Sequence, residues 1–324
     1  MSGQSQVRLL QDRARLMRLV RAFFTARSVL EVTTPSLGSR GATDPHIESM
    51  RVKQGNQAYF LQTSPEFAMK RLLAYGSGAI FQICPAFRGG ESGAHHNPEF
   101  TMLEWYRPGM GLVELMDEVK DLITGLCREF EQVFEPVESG TYRSLFEHQY
   151  SVNPHRVSSQ QLLEITHSKL PGFAGNAYNE ENYEDEGVID DLLGLLFSRG
   201  IEPGLLDPQF VTEFPATQAS LSKVGQVAGD QVALRFELYW QGLELANGYD
   251  ELTDPTELTR RIARDNRIRE SRGLPMMLSD QRLLAAMAEM PTCTGVAIGL
   301  DRLLMLLTDK ESIQEVLSFG IEDC

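Results

Sequence analysis

Cysteine is scarce in this 324-residue chain: Cys84, Cys127, Cys293 and Cys324 lie far apart, with no C-x-x-C pair. Histidines adjoin only at His95-His96. This argues against a disulfide framework or a structural zinc site and fits a reducing cytoplasm. Long apolar runs are also missing. No stretch of about 18 apolar residues occurs, and the amino-terminal MSGQSQVRLLQDRARLMRLV is charged throughout, so secretion and membrane spanning are both disfavoured. Positive charge is in deficit, with 30 Lys+Arg against 45 Asp+Glu and a net charge of −15. Such a chain repels a polyphosphate backbone, which disfavours extensive nucleic-acid binding. There is no internal repeat and no low-complexity linker.

What is present is enough apolar content, 42%, to bury a core. Val7 to Arg27 places Leu9, Leu10, Met17, Val20, Phe23 and Phe24 near helical spacing, and Val29 to Pro35 then reads as extended. Short β-like runs follow at Ala58–Thr63, Ala79–Phe87 and Glu99–Arg107, and their short connections favour an antiparallel sheet. Leu112 to Phe130 has helical spacing, and the acidic stretch Asn179–Asp191 reads as a solvated loop or helix face. Arg235–Trp240 and Leu243–Ala246 look like strands paired around Gln241-Gly242. Asp254-Pro255-Thr256-Glu257 supplies an N-cap, a first-turn proline and a capping-box acid for a helix to about Arg272. Thr294–Leu300 is a small-residue strand pattern, and Asp301–Leu307 is helical. The expected organisation is one catalytic α+β domain over 1–324 with an inserted middle region at about 135–220.

Three blocks carry chemistry. In Phe87 to Tyr106, a strand, a polar glycine-rich loop and a second strand can fold over a nucleotide. Arg88 at the base is suited to an α-phosphate, because a guanidinium fork matches phosphate oxygens. Alternation puts Phe100, Met102, Glu104 and Tyr106 on one strand face and Thr101, Leu103 and Trp105 on the other. Glutamate favours the surface, but the apolar neighbours of Glu104 argue for a pocket in which it and Tyr106 seize an ammonium group.

The second block is Glu244 to Glu251. Its two glutamates are seven positions apart, an odd interval that sends them to opposite faces of a regular strand unless Asn247-Gly248 forms a bulge or turn. On one face, the two carboxylates would suit Mg²⁺ bridging nucleotide phosphates. The third block, Gly295 to Leu303, has small residues that let a backbone approach a flat ring, and Arg302 can reach a phosphate or stack on a base.

Together these blocks resemble the three signature motifs of class II aminoacyl-tRNA synthetases: the helix and strand ending at Pro35, the Arg88 strand-loop-strand, and Gly299-Leu300-Asp301-Arg302. HNPEFTMLEWY, ELANGYDEL and TSPEFAMKRLL at Thr63–Leu73 resemble the lysyl branch. The chain is most similar to the elongation factor P (R)-β-lysine ligase family, because the first motif begins too near the amino terminus to leave room for an anticodon-binding barrel, and because Ala297 stands where lysyl-tRNA synthetases have glycine. The resemblance implies a class II-like antiparallel sheet flanked by helices, ATP and Mg²⁺ as cofactors, elongation factor P and lysine or β-lysine as partners, and a homodimer through the first-motif region.

By motif, Ser64, Pro65 and Glu66 line the amino-acid site, Glu104 and Tyr106 hold the side-chain ammonium, and Ala297 selects a displaced amino group. Glu251 lies near substrate and metal. Arg88, Gly89, Gly90, Asn97, Glu244, Leu245, Gly299 and Arg302 surround ATP, with Glu244 and Glu251 on magnesium and Arg88 and Arg302 catalytic. One departure is Gly89-Gly90, where the family has Arg-Asn-Glu, so Glu91 or backbone groups would meet adenine. The resemblance leaves two alternatives: a minimal lysyl-tRNA synthetase-like enzyme and a non-catalytic nucleotide-binding paralogue.

Overall fold

The computed structural model describes residues 3–170, 172 and 186–324. The chain divides into two compact units, the first comprising Met1–Phe134 with Glu251–Cys324 and the second Glu135–Asp250.

The first unit opens with α1 (Gly3–Ala26), whose buried Leu9, Leu16, Val20 and Phe24 fall at helical spacing. Of the extended segment after it, only β1 (Leu30–Glu31) pairs, parallel to β5 (Ile80–Phe87). The run at Ala58–Thr63 does not join that sheet. It supplies β4 (Gln57–Leu61), which pairs with β2 (Leu37–Gly38) and β3 (Arg51–Gln54) in a small antiparallel sheet, because Gly55 takes a positive φ and turns β3 directly back on β4. The strand order of the unit's main sheet is β1-β5-β6-β12, with β6 (Glu99–Pro108) and β12 (Cys293–Gly299) antiparallel to their neighbours as the short connections predict.

Alternation along β6 works as expected. Trp105 stacks edge-on to Phe24 at 5.2 Å, Phe81 stacks on Phe24 at 4.5 Å, and the Trp105 indole donates to Glu118 at 3.0 Å. Glu118 belongs to α3 (Leu112–Glu129), so one sheet face is closed by α1 and α3. The opposite face is left to Glu104 and Tyr106. Helix α2 (Glu66–Ala74) packs near α8 (Gln281–Met287). Helix α7 (Pro255–Ser271) starts where its signals place it, with the Asp254 carboxylate accepting from the Thr256 and Glu257 amides. Glu257 does not close a capping box, because its carboxylate is taken by Arg260 and Arg261 at 2.7–2.9 Å.

Helix α9 (Leu300–Leu307) follows β12 without a break. Its Asp301 is buried, receives Arg13 of α1 at 2.6 Å and accepts from the Thr101 amide at 2.5 Å. The aspartate of the third motif therefore ties three elements together and fixes where Arg302 starts.

The second unit has its own aromatic core. Tyr142 and Phe146 of α4 (Tyr142–Tyr150) pack with Phe197, Phe214 and Tyr239. Helix α5 (Ser159–Lys169) and α6 (Glu186–Leu196) complete it. Of the acidic stretch Asn179–Asp191, only its end lies within the described residues, on α6. The strand order is β11-β10-β8-β7, comprising β7 (Gly140–Thr141), β8 (Gln209–Pro215), β10 (Asp230–Trp240) and β11 (Leu243–Asp250), with β9 (Val224–Val227) also on β10. Gln241 and Gly242 both take positive φ and close the β10–β11 hairpin where the sequence places it.

Candidate amino-acid pocket

The pocket floor is a cross-strand row on the face of the first unit's sheet away from α1 and α3. Glu104 of β6 has Gln82 of β5 and Ala297 of β12 as its two neighbours, and Tyr106 lies opposite Gly295. Side chains directly opposite share a face, so Gln82, Glu104 and Ala297 project together. Glycine at 295 is a geometric requirement. A Cβ there would sit 2.4 Å from the Tyr106 ring and 2.4 Å from Glu251 Oε1, closer than atoms pack.

Helix α2 brings the second wall. Pro65 caps it, half-buried Ser64 precedes it, and Glu66 is its first residue. One turn later Lys70 sits on the same helix face. Its Nζ lies 2.6 Å from Glu66 Oε1 and 2.6 Å from Glu251 Oε2, with Lys70 and Glu251 each only 1% exposed.

The electrostatics follow from this crowding. Glu104, 3% exposed, has its carboxyl pushed up to about 8, first by burial and then by the charges of Glu66 and Glu251, against a hydrogen bond from the Tyr106 hydroxyl at 2.7 Å. Tyr106 is raised well above the phenol range by burial and by Glu104. Burial works against the Lys70 charge, but Glu251 and Glu66 outweigh it and hold the ammonium above its usual range. Gln82 is 2% exposed, and its carbonyl oxygen has no hydrogen-bond partner, which leaves an acceptor beside Glu104.

A second cluster surrounds the glycine-rich loop. The Arg88 amide donates to the Pro98 carbonyl, and Gly93 bridges His96, so the loop is a closed hairpin. The Arg88 guanidinium lies over the Phe100 ring at 5.2 Å with Glu91 at 3.8 Å, and its buried Nε has no partner. Arg302 donates to the His95 carbonyl at 3.2 Å and meets His96 at 2.6 Å, which ties it to the same loop. Asn97 is buried and takes structural bonds with Glu99 and the Ile321 amide. A Cβ at Gly299 would meet nothing within 4 Å, so the space beside it is open.

The Gly89-Gly90 departure has a local cause. Gly89 pairs with Glu48, a Cβ at Gly89 would come 2.8 Å from the Glu48 carboxyl carbon, and Gly90 takes φ +72°. The Glu48 side chain fills the volume a side chain at position 89 would need.

Arg88, Glu251 and Arg302 belong to the first unit, and Glu244 and Leu245 to the second. In the second unit the strand irregularity is real but displaced. Asn247 and Gly248 pair regularly with Glu237 and Phe236, while the register shifts between Leu238 and Tyr239, leaving Leu245 as the extra residue. The cause lies at Gly248, where a Cβ would meet the Phe236 ring at 2.4 Å, so that pair is locked in register. The bulge puts Glu244 on the face of Asn247, whose amide lies 3.4 Å from it and 3.0 Å from Glu237. Glu237 is itself pushed up to about 7 by burial, against the charge of Arg235.

The donor sets separate the two cofactors implied by the motifs. The loop cluster suits a nucleotide, because the Arg88 guanidinium keeps an unpartnered buried Nε and Arg302 is tied to the same loop. A magnesium ion does not fit at Glu251 as arranged: one oxygen is paired with Lys70, the other lies against Gly295, and the residue is closed to solvent. Among the described residues no group of three or more His, Cys, Asp or Glu could hold a metal, and none of the helices is long and apolar enough to cross a membrane.

Sequence reasoning placed Glu66, Glu104, Tyr106 and Ala297 in one pocket, and the structure brings them together. It missed Lys70, Gln82 and the steric role of Gly295. Lys70 had a local signal, its spacing of four from Glu66 within TSPEFAMKRLL. Gln82 had none.

A family model described as tRNA synthetases class II (D, K and N) matches residues 1–323. Proteins named elongation factor P–(R)-β-lysine ligase from Pseudoalteromonas translucida and Mannheimia succiniciproducens are 44% and 43% identical, each over 98% of this chain and 96% of the relative. One of the same name from Klebsiella pneumoniae is 45% identical over 97% of this chain and 95% of its own length. Full-length agreement in sequence, joined to the sheet, the arginine-based loop and the carboxylate pocket, shows that the chain belongs to the class II tRNA synthetase family of the D, K and N type, alongside these ligases.

Proposed function

We propose that this chain uses ATP to activate (R)-β-lysine as its adenylate and transfers it to a lysine side chain of elongation factor P. The observation that carries the reading is the buried Glu104–Tyr106 pair walled by Glu66 and Glu251, an anionic pocket sized by Ala297. The names of the full-length relatives support the same substrate and acceptor.

In this reading Glu104 and Tyr106 hold the distal ammonium, and Ser64, Pro65 and Glu66 border the backbone end. Arg88 and Arg302, anchored on one loop, neutralise charge that builds on the α-phosphate as the substrate carboxylate attacks phosphorus and pyrophosphate leaves. The neutral amine of the acceptor lysine then attacks the acyl carbon, AMP departs, and the amine proton is lost to solvent. Gly89, Gly90, Asn97 and Gly299 border the nucleotide, and in the second unit Glu244 and Leu245 occupy the remaining motif positions. Glu244 is the carboxylate that the motif assigns to magnesium, which would offset phosphate charge. The exposed apolar side chains Leu30 and Leu37 support self-association through the first-motif region.

Mass spectrometry of elongation factor P after incubation with this protein, ATP and each lysine isomer tests the proposal. An unmodified factor with every isomer would end it, and aminoacylation of total tRNA would replace it with a synthetase reading.

A further inference from the structure

Lys70 is a charged pocket group for which neither the motif nor the proposed chemistry has a use. Its ammonium is almost wholly removed from water, yet it lies within 2.6 Å of two carboxylates on different elements, Glu66 at the start of α2 and Glu251 ahead of α7. Burying a charge is costly, and a methionine of similar length would pack at this helix position with less penalty. What methionine cannot do is hold two carboxylates together.

Charge counting gives the reason for holding them. Once a ligand draws Glu104 into its charged form, Glu66, Glu104 and Glu251 place three negative charges in one small volume. Lys70 brings the sum to minus two, which matches a ligand carrying two ammonium groups. A ligand with one would leave a buried carboxylate unmatched.

Resting on the function proposed above, we infer that Lys70 is a positioning residue, a built-in counter-ion that ties Glu66 to the closed-off Glu251 and so fixes Glu66 as the acceptor for the ammonium near the substrate's reacting end. Glu104 and Tyr106 are thereby left for the distal ammonium, and the pocket is tuned to diamino acids. Lys70 touches Glu66 and Glu251, not the reacting atoms, so its removal should weaken amino-acid binding while sparing ATP binding and the chemical step.

The test is Lys70→Met, read by calorimetric titration with β-lysine and by pyrophosphate exchange. The amino-acid Kd and KM should rise at least about tenfold while the KM for ATP and kcat change less than about threefold, the signature of lost ground-state binding. In Lys70→Ala, added n-propylammonium should restore amino-acid binding in a saturable way, which loss of general packing would not permit. A Lys70→Met amino-acid Kd within twofold of the unaltered protein would overturn the inference, as would an equal loss in ATP affinity. If Lys70→Met does not fold, Lys70→Met/Glu251→Gln removes the buried unpaired charge. That variant should fold and still bind β-lysine about tenfold more weakly, and normal affinity in it also overturns the inference. Calorimetry needs no turnover, so an unaltered protein that binds β-lysine but exchanges no pyrophosphate would count against the proposed function and leave Lys70 to be judged on binding alone.

Discussion

Raising the pH should tighten amino-acid binding, because the carboxylate that receives the distal ammonium is mostly protonated in the empty pocket. Glu104 is 3% exposed, and its carboxyl is pushed up to about 8 by burial and by Glu66 and Glu251. At about pH 7, one unit below that value, roughly a tenth of the groups are ionised, and ionising the rest costs about 1.4 kcal/mol, or a factor of about ten in affinity. An ammonium ligand requires the charged form. Binding near pH 7 should therefore expel close to one proton, and the apparent Kd should fall about tenfold per pH unit up to about 8 and then level off. Calorimetry in buffers of different ionisation enthalpy counts the proton directly, and KM for the amino acid in pyrophosphate exchange gives the slope. Glu104→Gln should bind weakly with no slope over the same range. Binding without proton release, with a flat KM on either side of neutrality, would refute the argument. Stability must follow the same sign. The folded value lies above the ordinary 4.5, so the stability contributed by proton retention is fully present below about 4.5 and is lost as pH rises through about 8. The ligand-free melting temperature should fall across that window, and β-lysine should oppose the fall.

Gly295→Ala forces a Cβ to 2.4 Å from Tyr106 and Glu251 Oε1. It should raise amino-acid KM at least about tenfold and cost about 1–3 kcal/mol of stability in denaturant titration. Asp301→Ala takes from Arg13 its carboxylate and from the Thr101 amide its acceptor; about 2–3 kcal/mol should be lost in the same titration. Ala297→Gly removes a methyl group beside Glu104 and should shift the kcat/KM ratio toward α-lysine by roughly tenfold, the scale of one methyl group in a pocket. An unchanged isomer ratio would show that position 297 does not read the substrate.

Much of this was legible one segment at a time. Period-two alternation along Glu99–Arg107 put Glu104 and Tyr106 opposite Trp105, and the structure keeps that division because a strand side chain has only two directions. Gln241-Gly242 announced its hairpin, and Asp254-Pro255 its helix, through local φ preferences and one capping carboxylate. The bulge in β11 was sensed but misplaced. Asn-Gly is a turn signal in isolation, whereas the register was set by the Phe236 ring packed on Gly248 across the hairpin. Gly89 was legible only as a departure from the family's motif, and the Glu48 side chain that occupies the place of a Cβ there could not be read from the sequence.

By itself the sequence determined the opening and closing helices, the β5, β6, β10–β11 and β12 strands, the face on which each β6 side chain lies, and the family, because these depend on residues close together in the chain or on a pattern spanning all of it. Only the tertiary structure decided that Lys70 sits between Glu66 and Glu251, that Gln82 keeps an unmatched acceptor, and that glycine alone fits at 295. Those facts arise where elements far apart in the chain share a volume of a few ångströms. There, exclusion and Coulomb's law act between residues whose separation along the chain carries no signal.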